Sequence, residues 1–234
     1  MPYQRRVLHF LSLLVTIAWG SYASAAYEYR YTFGSPNYQV LPGQVVAVDV
    51  YLQEKVSGGS IPWFTTANQG LFSGGVRVYF DQAPVPSDRA EVLSTANILK
   101  NPLFTDPTTT LNVVLGSSAG MIAAVNDPFT QLIQGTPLDA STSRILLGTF
   151  NFTAGLVGNE VTHLLASDYD TITPTNQNTA FNTSTFASID LDSLVINGTA
   201  TITTIPEPSS LALLGLAGAA LAGCQVRRLR RKSS

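Results

Sequence analysis

PGQVVAVDVYLQE, residues 42–54, carries the clearest backbone signal in the chain. After the Pro42-Gly43 turn, Val46, Val48, Val50 and Leu52 recur at every second position while Asp49 falls on the opposite side. A period of two sends alternate side chains to opposite faces of a strand, so this segment buries one face and wets the other. The same alternation continues on either side of it. Tyr27, Tyr29, Tyr31 and Phe33 alternate with Glu28, Arg30 and Thr32, and Val76, Val78 and Phe80 repeat the pattern downstream. Further strands are predicted at 111–115 and 121–125, as a hairpin about a Gly-Ser turn, and at 144–153, 162–166, 186–190 and 194–203. Residues 89–100, with Asp88 as a cap, are the best helix candidate, although Val92, Thr95 and Ile98 suit a strand nearly as well.

About nine strands, little helix and frequent Gly, Pro, Asn and Asp turns, without βαβ alternation, predict an all-β fold: an antiparallel β-sandwich of jelly-roll topology. The order of the residue 42–54 strand, GGVRVYFD at 74–81 and ILLGTFNFTA at 145–154 is similar to the cohesin-like sandwich. That resemblance spans residues 36–154 and implies architecture alone, because a fold does not carry a function with it.

Both ends of the chain read as addresses. Arg5 and Arg6 precede a mostly apolar run at 7–19, and Ala23 and Ala25 supply the small-x-small pattern of signal peptidase, so the mature chain is expected to begin at Ala26 or Tyr27. At the other end Pro206-Glu207-Pro208 leads into eighteen uncharged residues at 209–226, enough for about 27 Å of helix. Gly215, Gly218 and Gly223, with Ala219 and Ala222, give that run small-residue faces suited to close packing on another membrane helix. Arg227, Arg228, Arg230, Arg231 and Lys232 then form a basic stop that stays on the cytoplasmic side. Positive charge marks the inside at both ends, which places the segment between them across the membrane. Three parts follow: a signal peptide at 1–25, a sandwich domain at 26–204 and a sorting segment with a single transmembrane helix at 205–234.

Pro206-Glu207-Pro208, the short apolar run and the Arg-rich end, in that order, resemble the PEP-CTERM sorting tail. The resemblance implies recognition and processing by an integral-membrane exosortase, in bacteria that also make extracellular polysaccharide. In physical terms the two prolines forbid helix and hold Glu207 on an extended segment that a cleft can read.

Composition narrows the remaining classes. Between residues 27 and 204 six bases face fourteen acids, a net charge of −8. So acidic a body has no stripe to neutralise phosphates, which excludes nucleic acid as a partner. Cys224 is the single cysteine, so there is no intrachain disulfide and no cysteine-based zinc cluster.

Three constellations invite chemistry. Gly116-Ser117-Ser118-Ala119-Gly120 fits the G-x-S-x-G pattern, and Ser118 precedes Asp127, Asp139, Glu160 and then His163, the order of a hydrolase triad. A nucleophile elbow needs a parallel strand before it and a long helix after it, whereas the residues beyond Gly120 are soon stopped by Asn126-Asp127-Pro128; a Gly-Ser hairpin turn explains the same letters. Asp168 with Asp170, and Asp190 with Asp192, pair carboxylates two apart, suited either to calcium or to local backbone N–H groups. Trp63-Phe64 lies in a polar stretch at 57–70 and suits either sugar stacking or a loop anchored in the core. The sequence reading is therefore a non-enzymatic, exported envelope or extracellular protein whose body is a structural or interaction module, without a catalytic or metal site. Its alternatives are a secreted serine hydrolase using Ser118 and His163, and a calcium-dependent glycan-binding module.

Overall fold

A computed structural model describes residues 26–80, 89–169 and 177–206. Among the described residues fourteen strands form two packed sheets. The first sheet contains β1 (Tyr27–Phe33), β3 (Val45–Val56), β5 (Ile98–Lys100), β8 (Thr136–Pro137), β9 (Thr142–Thr153) and β13 (Val195–Ile196). Its order is β13-β1-β3-β9-β5, with β8 also on β9. The second contains β2 (Asn37–Val40), β4 (Gln69–Phe80), β6 (Thr110–Val114), β7 (Ser118–Ala124), β10 (Val161–Ser167), β11 (Thr179–Asn182), β12 (Ala187–Asp190) and β14 (Gly198–Thr204). Here β6 and β7 lie on one side of β4, while the other side is shared: β10 takes its end at Phe80 and β11 its start at Gln69.

Alternation settles the inward face. On β3, Val48, Val50 and Leu52 are fully buried, and they meet Val76 and Val78 of β4, Met121 of β7 and Leu164 of β10 in one core. Phe80 and Phe152 cross between the sheets edge to face at 5.4 Å. Each such aliphatic or aromatic side chain stabilises the fold by about 1.5–3 kcal/mol on burial, which is why the two-residue period dictates the architecture. The β3–β9 ladder slips between Val50 and Tyr51, and the bulge lets Leu147 as well as Phe150 point inward although they are three apart.

Several expectations need correction. The sheets are antiparallel except at two edges, where β1 runs parallel to β13 and β2 parallel to β14. The predicted strand at 194–203 is two strands: after Asn197 the chain leaves the first sheet and joins the second, pressed so close to β1 that a Cβ at Gly198 would collide with the Tyr31 carbonyl oxygen. Residues 89–100 form no helix. The Ala90 N–H donates to Thr162 Oγ1, Glu91 bridges Thr153, and a single 3-10 turn at Thr95–Asn97 leads into β5. Tertiary backbone partners on either side outcompete the modest local helix propensity there.

The signal peptide with Ala23 and Ala25, and Glu207, Pro208, the apolar run and the basic residues 227–232, lie outside the described residues. Among the described residues no helix is long and apolar enough to cross a membrane.

Candidate functional site

The last strand ends where the sorting segment begins. Strand β14 alternates Thr199, Thr201 and Thr203 with the buried Ala200, Ile202 and Thr204, and is held between β10 and β2. Its final hydrogen bonds run past the strand itself: the Thr204 N–H donates to the Glu160 carbonyl at 2.9 Å, and the Ile205 N–H to the Val40 carbonyl at 2.9 Å. Pro206 has no N–H, so the ladder stops there. It lies against Gly158, where a Cβ would come within 3.4 Å of the Pro206 Cα. The chain thus leaves the domain from a strand paired on both sides, with no linker between the last hydrogen-bonded residue and the Pro-Glu-Pro motif.

The opposite pole is organised by a buried carboxylate. Glu54 occupies the next inward position of β3 after Leu52 and is completely buried. It accepts from the Trp63 and Phe64 backbone N–H groups, both at 2.9 Å, and from the Tyr29 and Ser143 hydroxyls, both at 3.3 Å. Burial pushes its carboxyl above the usual range, and these four donors pull it partly back. The result fixes the Trp63–Thr65 turn against the sandwich, with Phe64 fully buried and 5.8 Å from the Tyr29 ring. Phe64 is the loop's anchor. The Trp63 indole N–H is itself buried and without a hydrogen-bond partner, so this side chain is poorly presented for stacking on a sugar.

Where β10 and β11 part company along β4, a polar knot fills the gap. Asn178 accepts from the Gly75 N–H at 3.1 Å and donates through Nδ2 to Tyr31 Oη at 2.8 Å and Asp192 Oδ1 at 2.9 Å. Tyr31 in turn donates to the Gly75 carbonyl at 2.8 Å. Its burial, with the charges of Asp168 and Asp192, holds the phenol well above its usual range, so it remains a donor. Asp192 accepts from the backbone N–H groups of Gln177 and Asn178, both at 2.8 Å, and Asp190 accepts from the Asp192 N–H at 3.1 Å. Asp190 and Asp192 therefore point to different tasks instead of sharing one face. Asp168 sits near Asp192 with the Asn178 amide between them, and Asp170 lies outside the described residues. Among the described residues, no three His, Cys, Asp or Glu side chains gather for a metal ion.

The triad candidates are dispersed. Ser118 opens β7 directly after a three-residue hairpin loop in which Gly116 has φ of 71°, and it is only 3% exposed. It pairs with Tyr79, which pairs with Leu165, so His163 lies on a strand two spacings away, about 10 Å between backbones. Asp127 caps its own turn through Phe129 N–H and Thr130 Oγ1, and Asp139 does the same for Ser141. An elbow also requires a helix after the serine, and β7 is a strand.

One feature escaped the sequence reading. Phe129, Phe181 and Phe186 form a group of rings, Phe129 lying 5.7 Å from Phe181 and 5.8 Å from Phe186, with Phe129 and Phe186 strongly exposed. Phe186 has φ of 57°, an unfavourable conformation for a bulky residue, at the β11–β12 hairpin. No periodicity links these three positions, so only the fold brings them together.

Residues 204–231 match the family model of the PEP-CTERM protein-sorting motif. No curated relative matches the chain. Among solved structures the chain is similar to a type III cohesin module from the cellulosomal ScaE cell-surface anchoring scaffoldin of Ruminococcus flavefaciens, with 10% identity over 79% of this chain and 92% of that one, at a TM-score of 0.41. It is also similar to a type II cohesin domain from the cellulosome of Acetivibrio cellulolyticus, with 12% identity over 75% and 95% of the two chains and a TM-score of 0.35. The major pilin subunit BcpA of Bacillus cereus matches at 7% identity over 77% of this chain and 40% of that one, with a TM-score of 0.33.

Proposed function

We propose that this is an exported cell-envelope or extracellular protein, held in the membrane by its C-terminal segment until an exosortase-type enzyme processes it, with the sandwich as a non-catalytic structural or interaction module. The observation that carries this reading is the junction: the sorting motif begins at Thr204, the last residue of β14, and its Pro-Glu-Pro follows with no intervening linker. A substrate recognised at that tripeptide gains from a domain that ends in a fixed, extended exit. A signal peptide cut after Ala25 and a membrane span at 209–226 complete the route, with signal peptidase and the exosortase as the two processing partners. A topology reporter inserted just before Ile205 tests it: activity outside the cytoplasm is expected, and a cytoplasmic reporter refutes export.

Extracellular polysaccharide is the surrounding matrix in this proposal. The Phe129, Phe181 and Phe186 rings supply flat apolar faces of the kind that sugars stack on. Retention of the protein by the native polysaccharide should fall when Phe129 and Phe186 are both replaced by Ala, and unchanged retention removes the rings from that role.

A further inference from the structure

We infer that the pole of the sandwich at the chain's exit rests in the lipid headgroup layer while the protein is anchored, through an apolar rim of Val45, Leu93, Leu156, Val157 and Val161. The inference rests on the membrane anchoring proposed above. All five side chains are exposed, Leu156 to 74%.

Strand register places them together. Val161 pairs with Thr203 beside the exit, Val45 pairs with Thr153, and Thr153 bridges Glu91, two residues before Leu93. The Gly43 N–H donates to the Gly155 carbonyl at 3.1 Å, joining the turn before β3 to the loop after β9. Leu156 and Val157 directly precede Gly158, which abuts Pro206. Soluble surfaces tolerate single exposed apolar residues, but five around one edge are a patch.

The length of chain left over decides what covers that patch. Ile205 is hydrogen-bonded to Val40 within the domain, and the uncharged apolar run begins at 209. The residues between Pro206 and 209 span at most about 10 Å when fully extended. A headgroup layer is itself about 5–8 Å deep on each side of the hydrocarbon core. A tether this short holds the exit, and the rim around it, within a few Å of the headgroups, where the apolar tips can enter them. Glu91 and Glu160 flank the rim and Glu207 follows it, so attraction to anionic lipid does not drive the contact; shallow burial of the apolar tips does.

The test uses the full chain with Cys224→Ala, carrying one added cysteine, either Leu156→Cys at the rim or Ile61→Cys in the loop before the Trp63–Thr65 turn. Each is labelled with an environment-sensitive fluorophore and reconstituted in vesicles of phosphatidylethanolamine and phosphatidylglycerol, with matching circular dichroism as the folding control. Flotation with the vesicles is expected for both proteins, and shallow nitroxide lipids should quench the Leu156 probe several-fold more than the Ile61 probe. Equal quenching in proteins that float overturns the rim contact while leaving the anchor standing. Failure to float overturns the anchor, and the rim contact with it. A Leu156 probe that is silent in vesicles and shifts only when an exosortase-type enzyme is added assigns the rim to that enzyme instead of lipid.

Discussion

Replacing Glu54 by Gln keeps the shape of the side chain and removes its charge from the centre of four converging donors. Glu54 Oε1 serves the Trp63 N–H and the Tyr29 hydroxyl, and Oε2 serves the Phe64 N–H and the Ser143 hydroxyl. An amide has one oxygen, so its NH2 must face one of the two backbone N–H groups. The Ser143 or Tyr29 hydroxyl can rotate to accept, but a backbone N–H cannot. One buried N–H is then orphaned, at about 1–3 kcal/mol, and a charge-assisted bond worth about 1.5–3 kcal/mol is lost. Relief of the carboxylate's desolvation offsets part of this, leaving a net loss of about 2 kcal/mol at neutral pH. For a domain of this size that is a fall in Tm of about 4–8 °C. Acidity separates this mechanism from general loosening. Burial raises the folded-state pKa of Glu54 above its ordinary value of 4.5, so between the two values the folded state holds more proton than the unfolded one. Stability from this group is therefore fully present below about pH 4.5 and declines as pH rises through the folded value. Denaturant unfolding of both proteins from pH 4 to 7 should show the gap between wild type and Glu54→Gln widest in acid and narrower at neutrality. A gap that is flat with pH, or that widens toward neutrality, refutes the buried-carboxylate account.

The polar knot gives a second pair of variants: Asn178→Ala should cost about 3 kcal/mol, because it orphans the Gly75 N–H, while Tyr31→Phe should cost about 1–2 kcal/mol, both read by chemical denaturation. Gly198→Ala should destabilise by more than about 3 kcal/mol, since its methyl would collide with the backbone of Tyr31; a melting temperature unchanged from wild type would mean that β14 does not cross β1 so closely. Hydrolysis of a short-chain nitrophenyl ester should proceed at the buffer rate for wild type, Ser118→Ala and His163→Ala alike, and a wild-type rate abolished by either substitution would restore the hydrolase.

Legibility tracked how local the signal was. The inward faces of β1, β3 and the Val76–Phe80 end of β4 follow from alternation, because burial of one face is the dominant force on a strand and leaves its period in the sequence, whereas the bulge shifts the period of β9. The short edge strands β2, β5, β8 and β11 carry too few residues for a period, and the parallel pairing of β2 with β14 depends on positions 164 residues apart. Glu54 was visible as the next member of the Val48-Val50-Leu52 series, but its partners in the 63–64 turn and on β9 were not. Asp192 read as one half of a carboxylate pair and proves to be a backbone acceptor, since Asn178 arrives from a different strand. The aromatic trio joins three separate segments and had no local signature at all.

Export with C-terminal processing is the claim on which the functional reading stands, and mass spectrometry of the protein recovered from its own cells tests it most directly. The account predicts a mature chain that starts at Ala26 or Tyr27 and lacks the basic residues 227–232, with the new C-terminus close to Pro206-Glu207-Pro208. Recovery of one species extending from Met1 to Ser234 in the cytoplasm would contradict it.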